Sequence, residues 1–304
     1  NLDTLILPLL PQQTMPTNPF DIPRQFGDTN WYPTDENVAG TTTDVTTGKT
    51  TLTAYGLKTG IPFSDELEED AIVALVSELR SGLARNAAQI IDDVLLNADT
   101  TAVDNINYLS TTISRTTAGR AHQLIGFDGL IHLPVVDNTT LLSNNNAAAS
   151  IGMFTTLMGL LGKYWVARRR GEVVWITDPR TMAACMGIAS LLGMQNFGER
   201  ATMSAGEIRE LFAIPVIRSD QMRVASAGGL VSNTASINTT GRVLLVNTTQ
   251  WRVGFRRQIT MEAERNAGRS QTTLYVSFRI ALAERTGTRS TATHTGLIRN
   301  ITGV

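Results

Sequence analysis

Apolar and polar residues alternate most regularly between Ser64 and Asn97. Apolar side chains recur there at three- and four-residue steps, which is the spacing of one face of an α-helix. Ser64 is a favoured N-cap residue, and the acidic run 65–70 puts negative charge at the positive end of the helix dipole. These features predict one helix over residues 64–97, roughly 50 Å long at about 1.5 Å per residue.

Downstream of this helix, short apolar runs bounded by turn residues predict strands. Two further helices are predicted, one from Ile151 to about Arg170 and one over 178–192 with Asp178 as N-cap and Pro179 in the first turn. The predicted strands are 126–136, 171–177, 214–219, 241–247, 251–264 and 272–285. Helices interleaved with antiparallel strands place the chain in the α+β class.

The first 60 residues lack the pattern of a packed element. Residues 1–27 contain five prolines and scattered apolar side chains, which is typical of an extended arm. Residues 28–60 are rich in Thr and Gly, and they predict a long two-stranded hairpin with Lys49 at its tip. Because an isolated hairpin is marginal in water, we expect the arm and the hairpin to lie on a neighbouring subunit.

Composition and charge narrow the class of protein. Charged residues make up 17% of the 304 residues, against roughly 25% in ordinary globular domains, which favours a chain that buries much of its surface against neighbours. The net charge of −1 shows no overall basic field of the kind that marks a nucleic-acid binder. Only three of the 26 basic residues are lysine. Arginine is favoured at interfaces, although GC-rich codon usage would produce the same excess.

One string resembles a nucleotide-binding motif, Gly48-Lys49-Thr50. A phosphate-binding loop needs a glycine five positions before the Gly-Lys pair, with a strand before it and a helix after it. Thr43 holds that position, and a predicted hairpin surrounds the string. We interpret Lys49 as a solvated loop residue.

Other catalytic and metal-binding patterns are missing from the sequence. None of His122, His132 and His294 has a second ligand at a metal spacing, and His132 lies in an apolar run typical of a core histidine. The single cysteine, Cys185, sits in a predicted apolar helix, and no Gly-x-Ser-x-Gly elbow occurs. No apolar run approaches the ~18 residues of a membrane helix. We therefore expect no catalytic site, cofactor, metal or membrane partner.

Five segments occur in an order that carries a family resemblance. They are GIPFSDELEEDA, ITDPRT, FAIPVIRSD, GRVLLVNTTQWRVGFRRQITMEAE and TLYVSFRIALAER. Together with the arm and the hairpin, they resemble the Hong Kong 97-type major capsid proteins of tailed bacteriophages. The resemblance extends from about Phe26 to Arg285 and rests on the order of several degenerate motifs rather than on one invariant signature.

The resemblance implies how the chain is divided. The implied parts are an N-terminal arm at 1–27, an E-loop at 28–60, a peripheral (P) domain at 61–135 and 251–287 with its spine helix at 64–97, and an axial (A) domain at 136–250 and 288–304. Because the chain begins with Asn1 rather than Met, we expect a mature form from which a protease has removed a preceding segment.

The same resemblance implies a function and partners. The chain is expected to assemble with itself, in the host cytoplasm, into pentamers and hexamers of an icosahedral virion head that encloses double-stranded DNA. A portal, a maturation protease and a decoration protein are implied as further partners, and DNA would touch the inner surface without sequence specificity. The candidate contacts between subunits are Phe26, Trp31, Tyr32, Lys49, Tyr55, Arg168, Arg169, Arg170, Arg256 and Arg257.

Two other functions stay open at this stage. An encapsulin-like compartment has the same fold but encloses enzyme cargo, and a processed N-terminus with packaged DNA would distinguish a phage head from it. A soluble nucleotide-binding enzyme would act at Lys49, and a nucleotide titration together with the sedimentation size would test that hypothesis.

Some members of the family join their subunits by Lys–Asn isopeptide bonds. Lys49 is the lysine candidate here. Alignment to the family's strand puts Ser270 where the asparagine would be, and Asn266 would lie about 13 Å away along an extended strand. We therefore expect a shell without such cross-links.

Overall fold

The computed structural model describes residues 4–23, 30–43, 48–70, 75–103, 105–108, 122–192, 208–226, 228–285 and 288–304. The strands in these ranges are β1 (Gln12–Thr14), β2 (Phe20–Pro23), β3 (Lys49–Leu52), β4 (Tyr55–Ser64), β5 (Leu142–Ala148), β6 (Val173–Thr177), β7 (Glu210–Leu211), β8 (Ile214–Arg218), β9 (Gly241–Asn247), β10 (Trp251–Asn266), β11 (Gln271–Glu284) and β12 (Thr295–Thr302). The α-helices are α1 (Asp65–Asp70), α2 (Leu75–Asn97), α3 (Ile151–Leu161), α4 (Pro179–Met186) and α5 (Ala189–Leu192).

The long helix begins where the sequence predicts. Ser64 ends β4, and its side-chain oxygen accepts a hydrogen bond from the Leu67 amide at 3.2 Å, which confirms the N-cap. α1 occupies the acidic run, and α2 continues to Asn97 as predicted. Residues 71–74 of the predicted helix lie outside the described residues.

The C-terminal end of α2 is capped by a following loop. The last carbonyl groups of a helix have no partner within it, and here the amides of Leu130 and Ile131 donate to the carbonyls of Leu95 and Leu96 at 2.9 and 3.0 Å. Gly129 lies so close to the helix that a Cβ on it would be 2.8 Å from the Leu96 oxygen. This loop therefore requires glycine at position 129.

The first sheet contains four strands in the order β1-β10-β11-β4. β10 and β11 form a long antiparallel hairpin, paired from Trp251 with Glu284 to Asn266 with Gln271. The register shifts within residues 255–260 of β10, and β4 runs antiparallel along the other edge of β11. The predicted long antiparallel strands are confirmed.

The tip of this hairpin corrects one expectation. A 3-10 turn at Ala267–Arg269 is followed by Ser270 in the left-handed conformation, with a φ of 45°. Asn266 and Ser270 therefore lie on the two sides of one tight turn, and the expected separation of about 13 Å along an extended strand is wrong. The small residues Ala267 and Gly268 allow the chain to reverse there.

The second sheet contains six strands in the order β5-β12-β9-β6-β8-β7. Every residue of β6 and β9 is buried, as expected for central strands covered on both faces. α3 and α4 pack on one face of this sheet, where Phe154 meets Trp175 edge to face with ring centroids 5.1 Å apart. β12 lies between β5 and β9, so the C-terminal segment is an inner part of this sheet.

One hydrophobic core joins the two sheets. Trp251 and Val253 of β10 pack in it with Leu244 of β9, Leu95 of α2 and Leu297 of β12, and all five are fully buried. The same core reaches the N-terminal segment. The two sheets consequently share this core, and each also has a separate apolar cluster, one under α3 and α4 and one between α2 and the four-stranded sheet.

The prediction of a strand over residues 126–136 is wrong. The structure has a helical turn at Leu133–Asp137, with Leu133 and Pro134 buried. A short, fully buried apolar run has no periodicity that separates strand from helix. Pro134 fits the first turn because a helix does not need that amide hydrogen.

The predicted helix from Ile151 to about Arg170 is too long. α3 ends at Leu161, because Gly162 takes a positive φ of 55° and stops the α-helical pattern. A 3-10 turn at Gly162–Trp165 follows. Residues 168–170 therefore lie in the turn before β6 instead of at a helix C-terminus.

Candidate assembly surfaces

The N-terminal arm is anchored on its own chain. The amides of Leu5, Ile6 and Leu7 all donate to the carboxylate of Asp92 in α2, at 2.6, 3.2 and 3.2 Å. Ile6, Leu7 and Leu10 are buried in the main core. Asp92 itself is buried, and burial raises its pKa, which the three amide hydrogen bonds only partly offset.

The arm then joins the four-stranded sheet. β1 runs parallel to the start of β10, pairing Gln12 with Val253 and Thr14 with Phe255. The guanidinium of Arg256 donates to the Met15 carbonyl at 3.1 Å. The expectation that the arm lacks support within its own subunit is therefore wrong for the described part up to residue 23, because its apolar residues and amides find partners on α2 and β10.

The base of the predicted E-loop is a two-stranded ribbon formed with the arm. β2 pairs with β3, so that Pro23 lies opposite Lys49. The Lys49 ammonium contacts Asp21 at 2.7 Å and the Thr51 hydroxyl donates to Asp21 at 2.5 Å; these bonds lower the pKa of Asp21. Lys49 was predicted at the hairpin tip, and this is wrong: it lies at the base of the loop, paired with the arm.

The same geometry bears on the nucleotide-binding reading. Lys49 opens β3, which leads into β4 rather than into a helix. Its ammonium is paired with Asp21. A phosphate-binding loop needs a free lysine before a helix N-terminus, so this arrangement does not have that geometry.

Residues 30–43 of the loop are almost entirely exposed. Trp31 is 94% exposed, and Tyr32 and Val38 are 45% and 62% exposed. An aromatic side chain of this size is normally covered in a folded protein. The two aromatic contact candidates in this segment, Trp31 and Tyr32, therefore lie on open surface, whereas Phe26 lies outside the described residues.

Tyr55 has a different position from the other candidates. It begins β4 and is half-buried, with its ring packed against Gly126 so closely that a Cβ there would meet the ring. Tyr55 also contacts the main core. Its packing therefore contributes to the stability of the subunit that carries it.

The arginine candidates lie on exposed turns and strands. Arg168, Arg169 and Arg170 are exposed in the turn before β6, and Arg170 forms an ion pair with Glu210. Arg256 and Arg257 are exposed on β10, beside the register shift. Arg256 also holds the arm, so only part of this set is directed outward.

Beyond the end of α2, a partly buried ionic network connects distant parts of the chain. His132 Nδ1 lies 2.9 Å from Asp137, and its Nε2 lies 3.3 Å from Asp99 and 3.6 Å from Asp128. Arg289 contacts Asp128 at 3.2 Å and Asp137 at 2.8 Å. The network thus joins the α2 end and the helical turn to the segment that leads into β12.

Charge balance explains how this network is stable. Burial alone would lower the pKa of His132, but the hydrogen bonds to Asp137 and Asp99 and the charge of Asp128 outweigh it and raise the pKa to about 9. Burial would raise the pKa of Asp99, but His132 and local hydrogen bonds bring it below its ordinary value. At neutral pH, His132 is therefore a cation.

The contact of Asp99 with Asp128 and His132 was not predicted from the sequence. The donor atoms of the three residues lie within 4.8 Å of one another, so the structure brings the distant Asp99 to Asp128 and His132, which are four residues apart. A protonated imidazole has no lone pair for a metal, and Arg289 supplies a second positive charge. The geometry favours an ion-pair network over a metal site.

Two functional features were missed at the level of sequence. Asp92 and Asp93 interrupt the apolar run IIDDVLL, and acids within an apolar helix face are a signal of buried partners. Asp92 binds the arm, and Asp93 accepts two hydrogen bonds from Arg223 at 2.9 Å. Asp128 and Asp137 lie four and five residues from His132. Asp99 and Arg289 come from distant parts of the sequence, so the network as a whole had no local signal.

A groove lies between α2 and the sheet strands β4 and β11. Leu83, Ala87 and Ile90 form its helix side, and Val276 and Phe278 form its sheet side. Its volume is about 210 Å³.

Among the described residues, no helix combines the length and apolar character that crossing a bilayer requires.

Taken together, the fold and these surfaces define a class of protein. Two sheets share one core with a long helix, and an acidic loop segment carries the exposed Trp31. This combination is typical of a structural shell subunit, whose surface is completed by further copies.

The chain belongs to the phage capsid family, whose profile matches residues 3–285. It is a major capsid protein, the structural subunit of an icosahedral shell, as the sequence resemblance predicted. A search of curated protein sequences finds no significant match.

Solved structures share the fold at low sequence identity. The mature capsid of bacteriophage PhiM1 is 7% identical with a TM-score of 0.63, covering 100% of this chain and 89% of that chain. The capsid of the cyanophage P-SCSP1u is 11% identical with a TM-score of 0.64, covering 98% and 88%. The capsid of a native GTA particle is 12% identical with a TM-score of 0.62, covering 99% and 94%. The Hong Kong 97-type α+β fold is confirmed, and none of these comparisons favours an encapsulin-like compartment.

Proposed function

We propose that this capsid subunit assembles into both pentamers and hexamers and that its E-loop makes the principal contact with the adjacent subunit. The observation that carries the proposal is the exposure of residues 30–43, where Trp31 and Val38 have no cover from their own chain among the described residues. Apolar surface of this kind marks a protein interaction site. The N-terminal arm contributes by bracing the base of the loop through β2 and β3.

The domain division proposed for the shell follows the two sheets. The P domain comprises 61–135 and 251–287, and the four-stranded sheet with α2 supports it. The A domain comprises 136–250 and 288–304, and the six-stranded sheet supports it, because β12 pairs with β5 and β9. In this arrangement the A domain surrounds the five- and six-fold centres.

The arginines are proposed to act outside the subunit. Arg168, Arg169 and Arg257 are exposed, and guanidinium groups suit bidentate pairing with carboxylates or phosphates. Pairing with neighbouring subunits fits them best, with non-specific phosphate contact where they face packaged double-stranded DNA. The subunit has no catalytic role in this proposal, and a portal, a maturation protease and a decoration protein are its further partners in host-cytoplasmic assembly of the virion.

Deleting residues 35–48 tests the proposal. The described part of this segment contributes no buried side chain, so the deleted subunit should keep its circular dichroism spectrum and melting temperature. It should fail to form shells, as measured by sedimentation under conditions in which the intact chain assembles. A matched variant replaces the same residues by a Gly-Ser segment of equal length. Normal shells from that variant would show that residues 35–48 act only as a spacer, and loss of the folded subunit on deletion would contradict the proposal.

A further inference from the structure

The groove between α2 and the sheet has the character of a socket for one aromatic side chain. Its walls are apolar on both sides, formed by Leu83 and Ala87 on the helix and by Phe278 on β11. At about 210 Å³ it holds the space of roughly seven waters at about 30 Å³ each. Water in such an apolar space is readily displaced by an apolar group.

The polar rim of the groove suits an indole in particular. Asn86 and Gln123 line the groove, and their amide oxygens can accept the hydrogen bond that a covered indole N–H needs. Lys58 pairs with Ser277, so its ammonium, 4.0 Å from the centre of the Tyr275 ring, lies on the opposite face of the sheet from Val276 and Phe278 and adds nothing to the groove.

Trp31 is the side chain that lacks such a site. Trp175 and Trp251 are fully buried and Trp165 is half-buried, whereas Trp31 is 94% exposed. The groove of the same subunit does not receive it, since an inserted indole would be buried. A second copy of the chain presents the same groove.

The charges of the two surfaces are complementary. The loop segment 30–43 carries Asp35 and Glu36 and no lysine or arginine. On the groove side, Arg80 is exposed on α2 three residues before Leu83, which places it on the same helix face. The acidic loop segment can therefore pair with Arg80 beside the apolar groove.

We propose that Trp31 of one subunit inserts into the groove between α2, β4 and β11 of a second copy of this chain. The inference rests on the proposed function of the E-loop and deepens it, because it names the residue that anchors the loop and the site that receives it. The rest of segment 30–43 then lies along the rim of the groove.

A pair of single-cysteine subunits tests the contact directly. In a Cys185→Ala background, subunits with Trp31→Cys are mixed with subunits carrying Asn86→Cys, assembled, and oxidised gently. We expect a disulfide-linked dimer on a non-reducing gel only when both are present. Val38→Cys mixed with Asn86→Cys is the matched control, since Val38 is on the same loop. Equal dimer from the control, or shells that contain both variant subunits without a disulfide between positions 31 and 86, would overturn the assignment.

The energetic role of Trp31 is tested separately. Trp31→Ala should reduce the yield of shells at least tenfold while the unassembled subunit melts like the original, because the side chain is exposed there. Trp31→Phe should recover most of the yield, and Val38→Ala should lose much less. If Trp31→Ala assembles normally while deletion of residues 35–48 does not, the groove assignment fails and the proposed role of the E-loop stands.

Discussion

Replacing His132 by glutamine should destabilise the subunit in a pH-dependent manner. His132 is buried and lies within contact distance of the carboxylates of Asp99, Asp128 and Asp137. Glutamine retains a polar amide of similar reach but carries no charge. The variant therefore leaves the buried Asp99 and the half-buried Asp128 and Asp137 with one remaining cation in the network, Arg289, which contacts only Asp128 and Asp137.

The size of the effect follows from the pKa of His132. Each pKa unit corresponds to about 1.4 kcal/mol, so a rise from 6.5 to about 9 is worth about 3 kcal/mol in the free energy of unfolding. At pH 7 roughly 2.5 kcal/mol of this remains, because the unfolded chain is already partly deprotonated. The lowered pKa of Asp99 arises from the same contact with His132, so it makes no separate contribution to the free energy of unfolding.

The sign determines the pH window. The folded pKa lies above the unfolded value, so the contribution is complete below about pH 6.5 and is lost as the pH rises through about 9. Urea unfolding of unassembled subunits, followed by tryptophan fluorescence between pH 6 and pH 10, measures it. The difference between the original chain and His132→Gln should be large at pH 6 and close to zero at pH 10.

Two results would refute this reasoning. A difference that stays constant across the pH range would mean that the imidazole acts by packing alone. A variant as stable as the original at pH 6 would mean that the network contributes no net energy. Asp137→Asn serves as a companion variant, because removing that partner should move the loss of stability to lower pH.

Three other changes test separate parts of the structure. Asp92→Ala should leave three amides of the arm unpaired and lower the free energy of unfolding by about 2 kcal/mol or more. Limited proteolysis should then cut within the arm; an arm that stays uncut would contradict its anchoring by Asp92. Gly129→Ala should cost several kcal/mol or prevent folding, because the Cβ would meet the α2 backbone; an unchanged melting temperature would contradict the close approach. Boiled shells should release one band near 33.0 kDa rather than a ladder, because an isopeptide reaction needs a carboxylate in an apolar pocket and the acids beside the tip, Glu262 and Glu264, are exposed; a ladder of covalent oligomers would contradict this.

The sequence alone was sufficient to predict a local structure wherever a single residue determines that structure. Ser64 begins the long helix, and Asp178 caps α4 by accepting the amides of Arg180 and Thr181 at 2.9 and 2.8 Å. The fully buried strand β6 was recognisable from its unbroken apolar run. The order of these elements was enough to indicate the family.

Features that depend on tertiary partners were not predictable in the same way. The run that ends in Leu133 and Pro134 is apolar, which fits a buried strand and a buried helical turn equally well. Only its tertiary packing determines that a helical turn forms. The arm looked unsupported because its partner, Asp92, lies 85 or more residues away. Trp31 was named as a contact, but the groove that we propose for it is assembled from three separate elements.

The β10–β11 hairpin can be regarded as a beam fixed at one end. Its 16-residue strand β10 gives roughly 50 Å of length at about 3.3 Å per residue. Trp251 fixes one end, buried and donating to Thr295 at 2.9 Å, while the other end at Asn266 is exposed. The register shifts at 255–260 interrupt the ladder of hydrogen bonds between the two strands, so we expect the hairpin to bend there more readily than elsewhere. Subunits in different positions of one shell can therefore adjust to their neighbours by bending this hairpin. Their hydrophobic cores can then stay identical.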